Sequence, residues 1–248
     1  MTILNDIVKN TKAKLVEKKA AVSLDEIKLQ LSRLDLPKGK FKASLTGKAE
    51  AIIAEIKKAS PSAGIISENF DPIQKAQEYE AFGAAALSIL TEEDFFLGSN
   101  QYLKDVKAIT SLPILRKDFM VDEYQIYEAK LIGADCILLI ASILSDIEIT
   151  DFVALAEVLE LDYLIEVHDA EELQRVEHFN NALIGVNNRD LKTFNIDINN
   201  SVNLRKSFTG KNIFIAESGI KNRNDLIYLK SNGINTFLIG ESLMSNNF

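Results

Sequence analysis

Eight short apolar runs, spaced about 20 to 35 residues from start to start, constrain this chain more than any other feature. They lie at residues 51–56, 86–90, 112–115, 136–140, 163–167, 183–186, 213–216 and 236–239. Between them run amphipathic stretches with helical spacing, at 72–82, 123–132, 147–159, 170–178 and 223–231. Strands that are apolar throughout suit a parallel sheet buried on both faces. Eight strand–helix repeats predict a (β/α)8 barrel, with a doubly wound open sheet as the competing topology. The length of 248 residues fits one such barrel as a single domain, residues 1–248.

The first 45 residues read differently. Apolar positions at Ile3, Leu4, Ile7, Val8, Ala13, Leu15 and Val16 predict a helix over 2–21. Ser23 followed by Glu26 is a capping-box pattern that opens a second helix over 24–34. Pro37, Gly39 and the basic residues of 38–42 then mark a turn. Residues 1–45 are therefore expected to form a helical extension packed on the barrel.

Composition removes several function classes. A formal charge of −8 argues against a general nucleic-acid binder. One cysteine allows no internal disulfide, which fits a reducing compartment, and two histidines cannot build a three-histidine metal centre. The apolar stretch 136–143 is far shorter than the roughly 18 residues needed to span a bilayer, and the N-terminus has no apolar signal core. A cytoplasmic protein without a membrane partner is expected. Cys136 lies inside an apolar run and reads as a buried structural thiol.

Polar residues of catalytic type cluster where the runs end: Glu55 and Lys57, Thr91, Lys117, Glu166, Asn187 and Arg189, Glu217 and Ser218. In a barrel these ends converge on one face, where active sites are built. Solvated strand ends are the bland alternative for any one position, but they would not all need Lys, Glu and Asn. Glu55 and Lys57, two residues apart, share a strand face and can hold each other ionised. Lys117 and Glu166 offer an acid and a base on the third and fifth runs, whereas a solvated loop is the plain alternative for 116–119. His168 reads as a loop histidine rather than a ligand. Ser218-Gly219 and Gly240-Glu241 follow the seventh and eighth runs, where barrels often bind phosphate through backbone N–H groups. Lys57, Lys117 and Arg189 are expected to supply a local positive field for an anionic substrate despite the acidic net charge. Phe95, Phe96 and Phe119 could wall an aromatic substrate.

These motifs together resemble indole-3-glycerol phosphate synthases. The resemblance is carried by AEIKKASPSAG (54–64), LSILTEEDFFLGS (87–99), PILRKDFMVDEYQIYEAKLIGAD (113–135), LIEVHDAEEL (164–173), IGVNNRDLKTF (184–194), AESGI (216–220) and LIGESLM (238–244). It implies a TIM barrel with extra N-terminal helices. It also implies the substrate 1-(2-carboxyphenylamino)-1-deoxyribulose 5-phosphate, and neither a cofactor nor a metal. Carried over by motif, Lys117 is the general acid and Glu166 a proton-transfer group. Glu55 and Asn187 position reacting groups, Lys57 holds anionic parts of the substrate, and Arg189 and Glu217 complete the polar pocket. Ser60, Ser218, Gly219 and Gly240 belong to the phosphate site, with the Glu241 carboxylate pointing away from it. Phe96, Phe119 and Leu138 flank the anthranilate ring. A monomer is expected. The family continues into a final helix for which little sequence remains after Met244, so a missing or shortened last helix is expected, exposing the outer faces of the first and eighth strands. The alternatives are another phosphosugar-binding barrel, such as phosphoribosylanthranilate isomerase, and a non-catalytic barrel that only binds.

Overall fold

The computed structural model describes residues 2–190, 193–245 and 248. Leu191 and Lys192, within the NNRDLKTF stretch, and Asn246 and Asn247 near the end lie outside the described residues. Eight parallel strands close on themselves: β1 (Ala51–Ile56), β4 (Ala86–Leu90), β5 (Ile114–Lys117), β6 (Cys136–Ile140), β7 (Asp162–Val167), β8 (Leu183–Asn187), β9 (Phe214–Glu217) and β10 (Thr236–Ile239). The pairing of Ala51 with Thr236 joins the last strand to the first and removes the open sheet from consideration. A short antiparallel hairpin, β2 (Ala59–Ser60) with β3 (Gly64–Ile65), follows β1 and was not legible in the sequence.

Although both faces of the barrel strands are largely buried, the side chains alternate with period two. On β1, Ala51 and Ile53 point into the barrel with Leu115, Cys136, Leu138, Leu164, Leu183, Ile215 and Leu238. Ile52, Ala54 and Ile56 point outward into the larger strand–helix layer with Leu87, Ile137, Ile165, Ile184 and Phe237. Cys136 is fully buried in the inner core, as its apolar run implies.

The N-terminal segment builds α1 (Ile3–Ala21) and α2 (Leu24–Leu31), followed by an unexpected third helix, α3 (Phe41–Leu45), where the basic stretch had read as a turn. The capping box is present: Ser23 Oγ accepts from the Glu26 N–H at 3.2 Å, and the Glu26 carboxylate accepts from the Ser23 N–H at 2.7 Å. α3 places Phe41 and Leu45 into the inner core, where they plug the base of the barrel. Leu15 of α1 and Ile27 of α2 pack on Tyr124 of α6 (Glu123–Leu131).

The remaining outer helices are α4 (Pro72–Phe82), α5 (Asn100–Lys107), α7 (Asp146–Val158), α8 (Ala170–Val176), α9 (Asn199–Ser207), α10 (Arg223–Ser231) and α11 (Glu241–Met244). α5 and α9 were missed because polar residues dominate them and only two or three positions of each are buried. α11 is a single turn among the described residues. The predicted exposure of the neighbouring strands does not occur. Ile52, Ala54, Ile56, Phe237 and Ile239 are all buried, covered by Leu243 and Met244 of α11. Phe248 adds to this cover, with its ring edge-on to Phe82 at 6.3 Å.

Because Phe41 fills the barrel base completely, Phe41→Ala should leave a cavity there and lower stability by about 3–5 kcal/mol. Urea unfolding followed by circular dichroism measures the loss; a change under about 1 kcal/mol would mean that the base collapses to fill the space.

Candidate active site

The inward-pointing positions at the C-terminal ends of the strands meet in one cavity. It is lined by Glu55 of β1, Lys57 just after it, Lys117 of β5, Glu166 of β7, Asn187 of β8 and Glu217 of β9. Period-two alternation puts them there: Glu55 follows Ile53, Lys117 follows Leu115, Glu166 follows Leu164 and Glu217 follows Ile215 on the inner face. A ring of charge thus sits directly on a layer of aliphatic side chains.

Lys117 is the centre of this ring. Its Nζ donates to Glu217 at 2.6 Å and to Glu166 at 3.1 Å. Glu166 also accepts from Asn187 Nδ2 at 3.1 Å. Lys57 donates to Glu55 at 2.6 Å, the pair expected from their spacing. Burial alone would favour neutral Lys117, but the carboxylates of Glu217, Glu166 and Glu55 outweigh it and hold the ammonium above its usual range. Burial pushes Glu166 and Glu55 up as well, and neighbouring cations reverse this: Lys117 and His168 for Glu166, Lys57 and Lys117 for Glu55. Glu217 differs. Burial, aided by repulsion from Glu166, raises its carboxyl to about 7 despite Lys117. Its Oε1 has no hydrogen-bond partner among the described residues. Three buried carboxylates face two ammonium groups here, so one carboxylate is in excess, and Glu217 is the one whose pKa rises.

Two glycines make room for this ring. A Cβ on Gly185 would collide with Glu217 Oε1 and Leu164. A Cβ on Gly240 would stand 2.5 Å from Glu55 Oε1 and 3.2 Å from Lys57 Nζ.

The apolar side of the cavity is formed by Phe96, Phe119 and Leu138, as expected, with the Phe96 and Phe119 centroids 5.8 Å apart. Phe95 is not among the described lining residues. Ser60, Ser218, Gly219, Gly240, Arg189 and Glu241 also line the cavity. Ser218 and Gly219 both have positive φ, 64° and 78°, and a Cβ on Gly219 would collide with Ile196. Ser60 Oγ lies 3.3 Å from Ser62 Oγ and accepts from the Ala63 N–H at 3.2 Å.

Several expectations need correction. The solvated-loop alternative for 116–119 fails, since Arg116 is completely buried. Arg116 points outward from β5, donating to Asp118 at 3.0 Å, Glu128 at 2.6 Å, Thr91 at 3.1 Å and the Gln125 carbonyl at 2.9 Å. Thr91 therefore belongs to this bracing network and not to the cavity. The Glu241 carboxylate leans across to Arg189 at 3.6 Å. The positive field expected from Lys57, Lys117 and Arg189 is consequently offset, because each of the three cations is paired with a carboxylate.

The sequence also gave no sign that Ile3, Leu4 and Ile7 of α1 wall the mouth, together with Phe194. Helical periodicity located α1 but not its destination. The ties that hold it there are long-range: Lys14 reaches Glu93 at 2.9 Å and Asp94 at 2.7 Å on the loop after β4. Among the described residues no group of three or more His, Cys, Asp or Glu is arranged to hold a metal ion. No described helix is long and apolar enough to cross a membrane.

The raised Glu217 carboxyl predicts a specific pH dependence. A carboxyl that moves from 4.5 to about 7 on folding contributes stability below pH 4.5 that is lost as pH rises through about 7. Carbon-13 NMR of the glutamate carboxyls should show one group titrating near pH 7 in the wild type and none there in Glu217→Gln. An unchanged spectrum in that variant would assign the titration elsewhere.

With the site defined, the chain can be compared with known proteins. Residues 4–247 match the family described as indole-3-glycerol phosphate synthase. The enzyme of that name from Clostridium acetobutylicum is 50% identical over 244 residues, spanning 98% of this chain and 93% of that protein. The one from Ruminiclostridium cellulolyticum is 47% identical over 245 residues, spanning 98% and 94%. Among solved structures, a tryptophan synthase complex from Pyrococcus furiosus superposes with a TM-score of 0.59 at 16% identity, covering 79% of this chain and 89% of that one, a likeness of barrel fold alone. With the family match spanning residues 4–247 and relatives up to 50% identical over 98% of its length, this chain belongs to the indole-3-glycerol phosphate synthase family.

Proposed function

We propose that the Lys117 ring performs the family's ring closure on 1-(2-carboxyphenylamino)-1-deoxyribulose 5-phosphate. The enzyme is a carboxy-lyase of tryptophan biosynthesis acting on a phosphorylated small molecule. The observation that carries the assignment of roles is the Lys117 ammonium, held between Glu166 and Glu217 beside an apolar wall of Phe96, Phe119 and Leu138.

The aromatic carbon bearing the carboxylate attacks the substrate ketone, and the carbon–carbon bond forms as Lys117 gives a proton to the carbonyl oxygen. A positioned cation at that oxygen stabilises the charge that develops there. Carbon dioxide then leaves, and its bonding electron pair returns to the ring and restores aromaticity. The new hydroxyl takes up a proton and departs as water while the ring carbon beside the nitrogen gives up its proton, Glu166 and Lys57 supplying the acid and base of this dehydration, and the indole forms. Glu55 and Asn187 orient these groups through the Lys57 and Glu166 contacts. Carboxylate enters and neutral carbon dioxide leaves, so each turnover takes up one proton.

Ser60, Ser218, Gly219 and Gly240 are assigned to the phosphate. The cations around them are already paired, so backbone N–H groups carry much of that binding, with Arg189 released from Glu241 when the anion arrives. In this proposal residues 1–248 act as one barrel unit, a cytoplasmic monomer that binds no nucleic acid. Residues 1–45 supply both a wall of the mouth and the plug of the base.

The chain contains no Trp, so the indole product is easily seen over the protein. An enzyme-dependent rise in indole emission is the expected result, and a flat trace from folded protein would favour a barrel that only binds. Lys117→Ala should lower kcat by at least about 100-fold with KM nearly unchanged; wild-type turnover would remove Lys117 from the mechanism. Ser218→Asp should raise KM through repulsion of the phosphate. An unaltered KM would place the phosphate elsewhere.

A further inference from the structure

The proton consumed in each turnover has to reach a ring whose glutamates are buried beneath the partly covered Lys117. Glu166 is 3% exposed and Glu217 1%. One side chain connects this ring to a second opening. His168 lies two residues beyond Glu166, on the same side of the chain as β7 ends, with Nε2 3.4 Å from Glu166 Oε1. That nitrogen is buried and has no hydrogen-bond partner among the described residues. On the other side of the ring, Nδ1 is 3.2 Å from Glu172 Oε2, which also accepts from the His168 backbone N–H at 2.8 Å. The imidazole is thus fixed between two carboxylates. It also lines a groove that adjoins the substrate cavity through Leu4, Asn187 and Arg189 and is walled further by Glu172, Arg175 and Asn200.

We infer that His168 is the proton reserve of the site, a positioning residue that delivers to Glu166 the proton each turnover consumes and draws it from the outer groove. This inference rests on the ring-closure reading of the cavity. The protonated ring holds Glu172 through Nδ1–H and presents Nε2–H to Glu166 Oε1. Transfer leaves a neutral imidazole with Nδ1–H still on Glu172. Rotation of the protonated Glu166 carboxyl about its terminal torsion carries that proton from the His168 side to Lys117 Nζ, where it replaces the one given to the carbonyl oxygen. Groove water then restores the Nε2 proton. One proton enters, and it leaves in the water that the reaction releases.

The charges facing His168 favour this. Burial opposes the imidazolium, yet Glu172, Glu166 and Glu217 together raise the ring above its usual value. Arg175 and Arg189 line the same groove, but Arg175 is paired with Asp146 and Arg189 with Glu241, while Asp169 and Asp197 add negative charge there. The Nε2 contact of 3.4 Å puts the two groups within reach of a hydrogen bond after a shift of a few tenths of an ångström.

The test compares wild type, His168→Gln and His168→Ala in the indole-emission assay across pH, each variant first checked by circular dichroism. His168→Gln should lower kcat at least about tenfold with KM within about twofold, because the lost group carries a proton and does not touch substrate. The limb of the kcat–pH profile that falls as the imidazolium deprotonates should vanish. Added imidazole should restore turnover to His168→Ala in proportion to its concentration. Wild-type kcat and pH profile in His168→Gln would overturn the proposal. So would a loss that imidazole leaves untouched while KM rises, which marks a packing role. Should His168→Ala not fold, the His168→Gln profile decides alone. A wild-type enzyme that makes no indole would instead overturn the ring-closure reading.

Discussion

A lysine ammonium buried among three carboxylates is expensive to build, and much of this structure exists to hold it. Charges removed from water are tolerated only when the geometry of their partners is good and every remaining polar atom is served. Lys117 meets Glu166 and Glu217 within hydrogen-bond distance, and Lys57 meets Glu55. The partners come from β1, β5, β7 and β9, so the arrangement depends on complete barrel closure. On the opposite face of β5, Arg116 is held by Asp118 and Glu128, which fixes the strand that carries Lys117 from behind. The imperfection lies at Glu217, whose Oε1 has no hydrogen-bond partner among the described residues. Burial, with repulsion from Glu166, raises this carboxyl to about 7 and gives the ring one group poised near neutral pH.

The cavity divides its work by surface type. Most of the charge lies at the strand ends, whereas the apolar wall combines Phe96 and Phe119 of the loops and Ile3, Leu4 and Ile7 of α1 with Leu138 of β6. This division suits a reaction in which a carbonyl has to be polarised at one fixed point while a flat ring is held against it. Ser218, Gly219 and Gly240, on the loops after β9 and β10, line the same cavity, and Arg189 beside them is paired with the solvent-exposed Glu241.

The strands were legible because each run is apolar on both faces and is bounded by polar residues. The charged ring was legible because those boundaries are charged where a solvated end needs no particular type. The end of β5 was not, since Arg116 and Lys117 look like the start of a loop when they end a strand. Thr91 and Phe95 sit at positions as suggestive as those of their neighbours, yet one braces Arg116 and the other is absent from the described cavity lining. Strand-end location therefore identified candidates but not the direction of each side chain. The roles of α1 and α3 depend on contacts with residues far along the chain, such as Lys14 with Glu93 and Phe41 with Leu164 and Ile215, and no local pattern encodes them.

The same long-range contacts set a timetable for the chain as it is made. Residues that plug the base and wall the mouth are synthesised first, yet their docking partners emerge much later. β1 keeps an unpaired edge until β10 exists, because Ala51 pairs with Thr236. The growing polypeptide must therefore carry an open, curling sheet with an apolar interior through most of translation. Its charged ring can acquire buried geometry only in the final step, so the ability to catalyse arises all at once, when the last strand zips the cylinder shut.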